Sequence, residues 1–101
     1  MRTRTRVENG CARISLHGRL DFNAYRAFRT TCNRPLAAGD VTELELNLEW
    51  VEHLDRSALG MLLLLKARAE ELKKRVVLTN CHGVVKEMLE AANFDRIFGL
   101  A

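Results

Sequence analysis

Residues 43–50 alternate without a break: Leu44, Leu46, Leu48 and Trp50 are separated by Glu43, Glu45, Asn47 and Glu49. A period of two is the repeat of a β-strand, whose successive side chains leave on opposite faces. One face of this strand is therefore dry and the other wet. A doubly wound parallel sheet buries both faces, so this pattern predicts helices packed mainly on one face, with the other open or used for contact. A loop is expected at 51–54, followed by a helix from about 57 to 74. The first half of that helix is apolar on all sides (Ala58, Leu59, Met61, Leu62, Leu63, Leu64, Leu65), which predicts burial all round. Its second half is charged, from Lys66 to Lys74.

The flanking segments complete a regular order. Residues 3–9 and 11–17 read as strands joined at Asn9-Gly10, a dipeptide that supplies the positive φ of a two-residue hairpin. Gly18 is expected to end the second strand. Asp21 stands where a helix N-cap belongs, and Phe22, Tyr25, Phe28 and Cys32 follow at helical spacing, with Pro35 and Gly39 punctuating the end. Arg75 to Thr79 reads as a strand. Val84, Val85, Met88, Leu89 and Ala92 form another helical stripe, and Phe94, Ile97 and Phe98 close the chain. The order is β-β-α-β-α-β-α, an α/β fold with a mixed four-stranded sheet: right-handed crossovers make the later strands parallel, and the hairpin supplies an antiparallel edge.

Composition narrows the function classes. With 101 residues, 48% of them hydrophobic and 29% charged, the chain is expected to form a single domain over 1–101. No apolar run approaches the roughly 20 residues that span a bilayer. Met1 to Arg6 has charge without an apolar stretch behind it, so a cytoplasmic placement without membrane insertion is expected. Cys11, Cys32 and Cys81 are odd in number and lack C-x-x-C spacing, which removes the usual zinc and redox signatures and fits a reducing compartment. Eight arginines stand against two acidic residues through Arg34, and eight basic against eleven acidic residues follow. The arginines are scattered and do not alternate with aromatics, so the reading is solvated faces and an edge strand, with no direct nucleic-acid contact.

Loops beyond the carboxyl ends of parallel strands are where open sheets meet their partners. Two are distinctive: Glu52 to Gly60, which enters the leucine-rich helix, and Asn80-Cys81-His82-Gly83. Gly18 to Asp21 lies at the same edge. Asp55 and Ser57 each suit helix capping, as does Asp21, and capping is compatible with a contact role. His53, Asp55 and Ser57 are too close in sequence to form a nucleophile–base–orienter set, and there is no G-x-S-x-G elbow, P-loop or G-x-G-x-x-G. Cys81, His82 and His53 at one edge leave open a metal site or a small thiol–imidazole enzyme. The plainer alternative is a strand-end thiol and two surface imidazoles.

Asp55-Arg56-Ser57-Ala58-Leu59-Gly60 resembles the D-S-[ST]-[GA]-L-G segment of STAS domains, the family of bacterial anti-sigma factor antagonists. Gly18-Arg19-Leu20-Asp21 resembles the family's G-x-L-D, Leu44 to Leu48 its third strand, and Val76 through Val84-Val85-Lys86 to Phe98 its closing strand and helix. The resemblance implies a regulatory protein-binding module, not an enzyme, with no catalytic residue, cofactor or metal. Its partner would be an anti-sigma factor, often a serine protein kinase, with a phosphatase acting on the same loop and dimerisation left open. Partner contacts would fall on Asp21, Asp55, Arg56, Ser57 and Leu59. Phosphorylation in the D-S-[ST] loop blocks binding in such antagonists, through a charge of about −1.5 to −2 placed at the partner surface. Here Arg56 occupies the usual acceptor position. Two versions follow: a domain locked in the unphosphorylated, binding-competent state, or one with phosphorylation moved to Ser57. An accessory or scaffold subunit of a transport complex is the alternative within the fold.

Overall fold

The computed structural model describes residues 1–100, with side chains through residue 98. The strands are β1 (Arg2–Glu8), β2 (Cys11–Leu20), β3 (Glu43–Leu54), β4 (Arg75–Thr79) and the two-residue β5 (Gly99–Leu100). A 3₁₀ turn (Phe22–Ala24) leads into α1 (Tyr25–Ala37), and α2 (Arg56–Glu71), α3 (Gly83–Ala91) and α4 (Phe94–Ile97) follow the later strands. The sheet runs β1-β2-β3-β4-β5, with β1 antiparallel and the remaining neighbours parallel. The mixed four-stranded core is the one expected from the sequence, and β5 lengthens it by a short edge. Asn9 and Gly10 take φ of 51° and 80°, the left-handed values a tight hairpin needs. The Gly10 carbonyl then accepts from the Thr42 amide at 2.8 Å, tying the hairpin to the start of β3.

One face of the sheet and the inner faces of the helices form a single apolar cluster. Ala12, Ile14 and Leu16 of β2, Leu44, Leu46 and Leu48 of β3 and Leu78 of β4 are essentially inaccessible in it. The other face is wet. There Arg13 pairs with Glu45 at 3.1 Å, Arg75 pairs with Glu43 at 3.1 Å, and Thr79 donates to Glu45 at 3.0 Å. Glu43 and Glu45 of the alternating segment thus stand in cross-strand ion pairs on the solvent side, as the alternation predicts.

Several expectations need correction. β2 does not end at Gly18, and 51–54 is not a loop: both strands run on, to Leu20 and Leu54. They do so out of step. From Ser15 to His17 the partner advances from Asn47 to Trp50, and from Gly18 to Arg19 it advances from Val51 to His53. Each irregularity adds one residue to β3, the signature of a β-bulge. The buried positions of β3 consequently read 44, 46, 48, 51 and 54, and Trp50 turns outward, 57% exposed.

The leucine run of α2 is also not buried all round. Ala58, Met61, Leu62, Leu65 and Ala69 face the core, while Leu63 and Leu64 are 42% and 54% exposed. Helices occupy one side of the sheet only, so α2 has nothing on its outer face. Phe22, placed by spacing among inward residues, is 73% exposed because the 3₁₀ turn precedes the helix proper.

At the far end of α2, the Lys74 ammonium donates to the carbonyls of Leu36 and Ala38 at 2.5 and 2.7 Å and to that of Pro35 at 3.1 Å. The Pro35 and Ala38 carbonyls also accept from the Ala38 and Val41 amides, so the ammonium adds a charged donor to the turn that closes α1.

Three expected outcomes follow for urea denaturation. Leu62→Ala destabilises by about 2–5 kcal/mol, and Leu64→Ala by under about 1 kcal/mol; comparable losses would contradict the one-sided burial of α2. Lys74→Met costs about 1–3 kcal/mol, because it strips charged hydrogen bonds from carbonyls that remain partly buried. Burial pushes the Cys32 thiol from its ordinary 9.0 up to about 12. The folded state therefore holds this proton where the unfolded chain releases it. The thiol's contribution to stability is complete below about pH 9 and is lost progressively as pH climbs towards about 12. Cys32→Ala should fall less steeply than the native chain above about pH 9.

Candidate functional site

The carboxyl ends of β2 and β3 finish level, because Leu20 and Leu54 are register partners and both are buried. The residues immediately after them, Asp21 and Asp55, therefore leave the sheet side by side. The Asp55 amide donates to the Leu20 carbonyl at 3.4 Å, joining the two loops. The β4 loop stays further back, where Asn80 and His82 bond to Asn47 and Glu49 of β3.

Asp55 is the N-cap of α2. Its backbone is extended (φ −110°, ψ −177°), and its carboxylate accepts from the Ala58 amide at 3.0 Å. That satisfies one of the helix's orphan donors and places negative charge at the positive end of the dipole. Arg56 and Ser57 are the first two residues inside the helix, and both are exposed. Leu59 is half-buried and packs against the core, so its contact surface is limited. Gly60 is exposed, and a methyl group built on it would meet open space. Arg56, Gly60, Leu63 and Leu64 are spaced i, i+4, i+7 and i+8, which is one helical face.

Asp21 behaves differently from its expected role. The Ala24 amide bonds to the Asp21 backbone carbonyl at 3.0 Å, and the carboxylate caps nothing. The i→i+3 bond of the 3₁₀ turn already serves that amide, so the side chain turns to Arg19, with Oδ2 3.6 Å from its Nε. Beside it Phe22 projects into solvent.

The structure thus brings together Asp21, Asp55, Arg56 and Ser57. Sequence reasoning missed Phe22, Leu63 and Leu64, which give this edge its apolar content. The signal available was the alternation of β3: a sheet with one bare face has a single helical layer, and an outer helix in a single layer keeps one side in water.

The histidines and thiols form no comparable centre. His82 holds the Glu49 carbonyl at 3.0 Å through Nε2, an anchoring contact for the turn into α3. Burial raises the Cys81 thiol above its ordinary value, with Lys86 opposing the shift, and Cys11 is likewise raised by burial. A nucleophilic cysteine needs the opposite shift. Among the described residues no group of three or more His, Cys, Asp or Glu side chains is placed to hold a metal. No described helix is long and apolar enough to cross a membrane.

Comparison with known proteins converges on one family. The family model described as "Mlab, STAS domain" matches residues 3–100. A STAS-domain-containing protein of Pseudomonas aeruginosa is 35% identical over 88 residues, 87% of this chain and 85% of its own length. Among solved structures, the unphosphorylated anti-sigma factor antagonist SpoIIAA of Bacillus superposes with a TM-score of 0.81 at 23% identity, covering 99% of this chain and 88% of that one. A sulfate transporter family protein from Wolinella succinogenes superposes with a TM-score of 0.76 at 14% identity, over 92% of this chain and 75% of its own. At such identities the two structures establish the shared fold.

Asp55→Ala is expected to cost about 1 kcal/mol in chemical denaturation, the worth of an N-cap. Asp21→Ala should cost under about 0.5 kcal/mol, since its carboxylate caps no amide and makes one long ion pair to the largely exposed Arg19. Equal losses at the two aspartates would contradict this division of labour.

Proposed function

We propose, on the premise that the chain belongs to the STAS domain family, that it is a cytoplasmic regulatory module of the anti-sigma factor antagonist type. Its partner is an anti-sigma factor of the serine-kinase class. The docking surface is the edge formed by Asp21, Phe22, Arg56 and Ser57 together with the outer face of α2. One observation carries this reading: the helix that starts at the motif buries one face completely and leaves Leu63 and Leu64 in water beside a bare Gly60. Two adjacent exposed leucines next to a glycine give a partner an apolar seat with close backbone approach, and polar residues at the helix start supply the rim.

Arg56 determines how such a surface is regulated. At the first helical position it is a fixed positive charge where the family motif carries a serine. The helix dipole disfavours that charge by a few tenths of a kcal/mol, and the capping Asp55 carboxylate offsets it. Ser57 keeps a hydroxyl but lies about 100° further round the helix, so a kinase seat shaped for the preceding position would not reach it in line. This supports the version locked in the binding-competent state over phosphorylation at Ser57. Release would then depend on partner supply, without a phosphatase cycle. A second reading, an accessory subunit of a transport complex, draws support from the fold shared with the Wolinella transporter-family protein and would use the same face.

Incubation with a serine-kinase anti-sigma factor of the source cell and ATP, followed by intact-mass analysis, tests the proposal. The native chain should bind and remain unmodified, whereas Arg56→Ser should gain one phosphoryl group and lose affinity. Leu64→Asp should weaken binding about tenfold or more with an unchanged circular dichroism spectrum. Phosphate on Ser57 of the native chain would sink the locked version, and undiminished binding by Leu64→Asp would remove the helix face from the interface.

A further inference from the structure

The opposite side of the molecule carries a second surface, which goes beyond the α2 edge. β1 is the outermost strand of the sheet, and all seven of its residues are exposed. Its sequence alternates, and the antiparallel register decides where each set goes. Arg2, Arg4 and Arg6 stand opposite His17, Ser15 and Arg13, on the wet face, while Thr3, Thr5 and Val7 stand opposite Leu16, Ile14 and Ala12. The Thr3 and Thr31 hydroxyls meet at 3.1 Å on the helix side, and Arg2, Thr3, Arg4 and His17 line one depression where the strand meets the open face.

The charges on that face are unevenly matched. Arg13 and Arg75 have carboxylate partners in Glu45 and Glu43. Among the described residues Arg2, Arg4 and Arg6 make no ion pair, and Glu8 is the one carboxylate on their strand. Along a strand the three guanidinium stems recur about every 6.8 Å, the pace at which one face of another extended chain presents its own side chains. At the Arg2 end the row meets a cavity of about 610 Å³ lined by His17, Trp50 and Val84 together with Glu49 and Glu52, so this end suits an apolar side chain and the carboxylates belong over the arginines. Trp50 there lies parallel to the His17 ring, with centroids 6.1 Å apart and planes 7° apart, and stays more than half exposed.

We infer that β1 and the adjoining open face receive an acidic, extended segment of a partner protein. The segment adds as a strand outside β1, with carboxylates over Arg2, Arg4 and Arg6, and its end beyond Arg2 crosses the open face over His17 to lay an apolar side chain against Trp50. Backbone groups on the free edge of β1 supply hydrogen bonds, the arginine row supplies charge complementarity, and tryptophan and arginine are the residue types that anchor interfaces. A second copy of this chain does not fit, because β1 against β1 would set arginine rows against each other. A nucleic acid leaves the strand-edge amides and carbonyls unused and finds a single exposed tryptophan to stack on.

Trp50 is the sole tryptophan, so its fluorescence reads occupancy directly. The probe is a tryptophan-free peptide alternating Glu and Thr and ending in Leu, compared with the same peptide carrying Gln for Glu. The acidic peptide should saturate the fluorescence change and shift the amide resonances of β1. The Gln peptide, and the Arg2→Gln/Arg4→Gln/Arg6→Gln variant, should bind about tenfold or more weakly. Arg4→Glu, a single exposed change, should weaken the response about fivefold or more while retaining the native circular dichroism spectrum. Equal affinity for both peptides would overturn the inference. So would amide shifts that bypass β1, sedimentation showing dimers lost in the triple variant, or tight binding of an oligonucleotide by a chain that ignores the acidic peptide.

Discussion

The parallel pairing of β2 with β3 is the constraint on which the remaining geometry depends. Ten residues of β2 run against twelve of β3, and the two surplus residues are absorbed as bulges beyond Ser15. Without them, strict alternation would carry Trp50 into the core and put Val51 outside. With them, Leu48, Val51 and Leu54 all stay inside, and Leu54 finishes opposite Leu20. That coincidence of strand ends sets Asp55 beside Asp21 and aims α2 out of the sheet at the edge where its first residues are exposed. A bulge concentrates twist and re-aims side chains, and here it determines what both faces of the molecule present.

Much of this was legible beforehand. The alternation from Glu43 to Leu48 foretold a single helical layer, Asn9-Gly10 foretold the hairpin, and Asp55 ahead of an apolar run foretold a cap. The failures share a physical cause, which is that local pattern is silent about tertiary placement. Nothing in residues 47–53 announces an inserted residue, since a bulge is decided by two strands together. The run from Met61 to Leu65 contains leucines for both sides of a helix, and no periodicity distinguishes a helix embedded all round from one that offers spare leucines to a partner. Asp21 looked like a cap because capping residues precede helices, yet a 3₁₀ turn intervenes and its own backbone bond makes the carboxylate redundant. The role of Lys74 was invisible for a related reason: its carbonyl acceptors lie more than thirty residues away in sequence.

The two surfaces differ in chemistry. The α2 edge is apolar with a small polar rim, and its central position holds an arginine whose charge does not respond to pH or to a kinase. The β1 face is cationic, and its ionic contacts weaken with salt because the pairs formed there are solvent-exposed. A module with one apolar and one electrostatic face can discriminate partners by two independent criteria. The formal net charge of +3 is therefore a poor summary of the molecule. Five of the sixteen basic residues lie on the first two strands, and of these Arg13 alone is neutralised across the sheet, by Glu45.

The attachment of Lys74 to the end of α1 gives α2 a fixed rear. Its front emerges from the Leu20–Leu54 junction and its inner side is embedded, so the rod has little room to slide or tilt. A partner docking at Ser57 and Leu64, as proposed above, would therefore meet a helix braced on three sides. A message passed there would be carried by fit, by which residues are on show and which are masked, and not by leverage transmitted through the body of the protein.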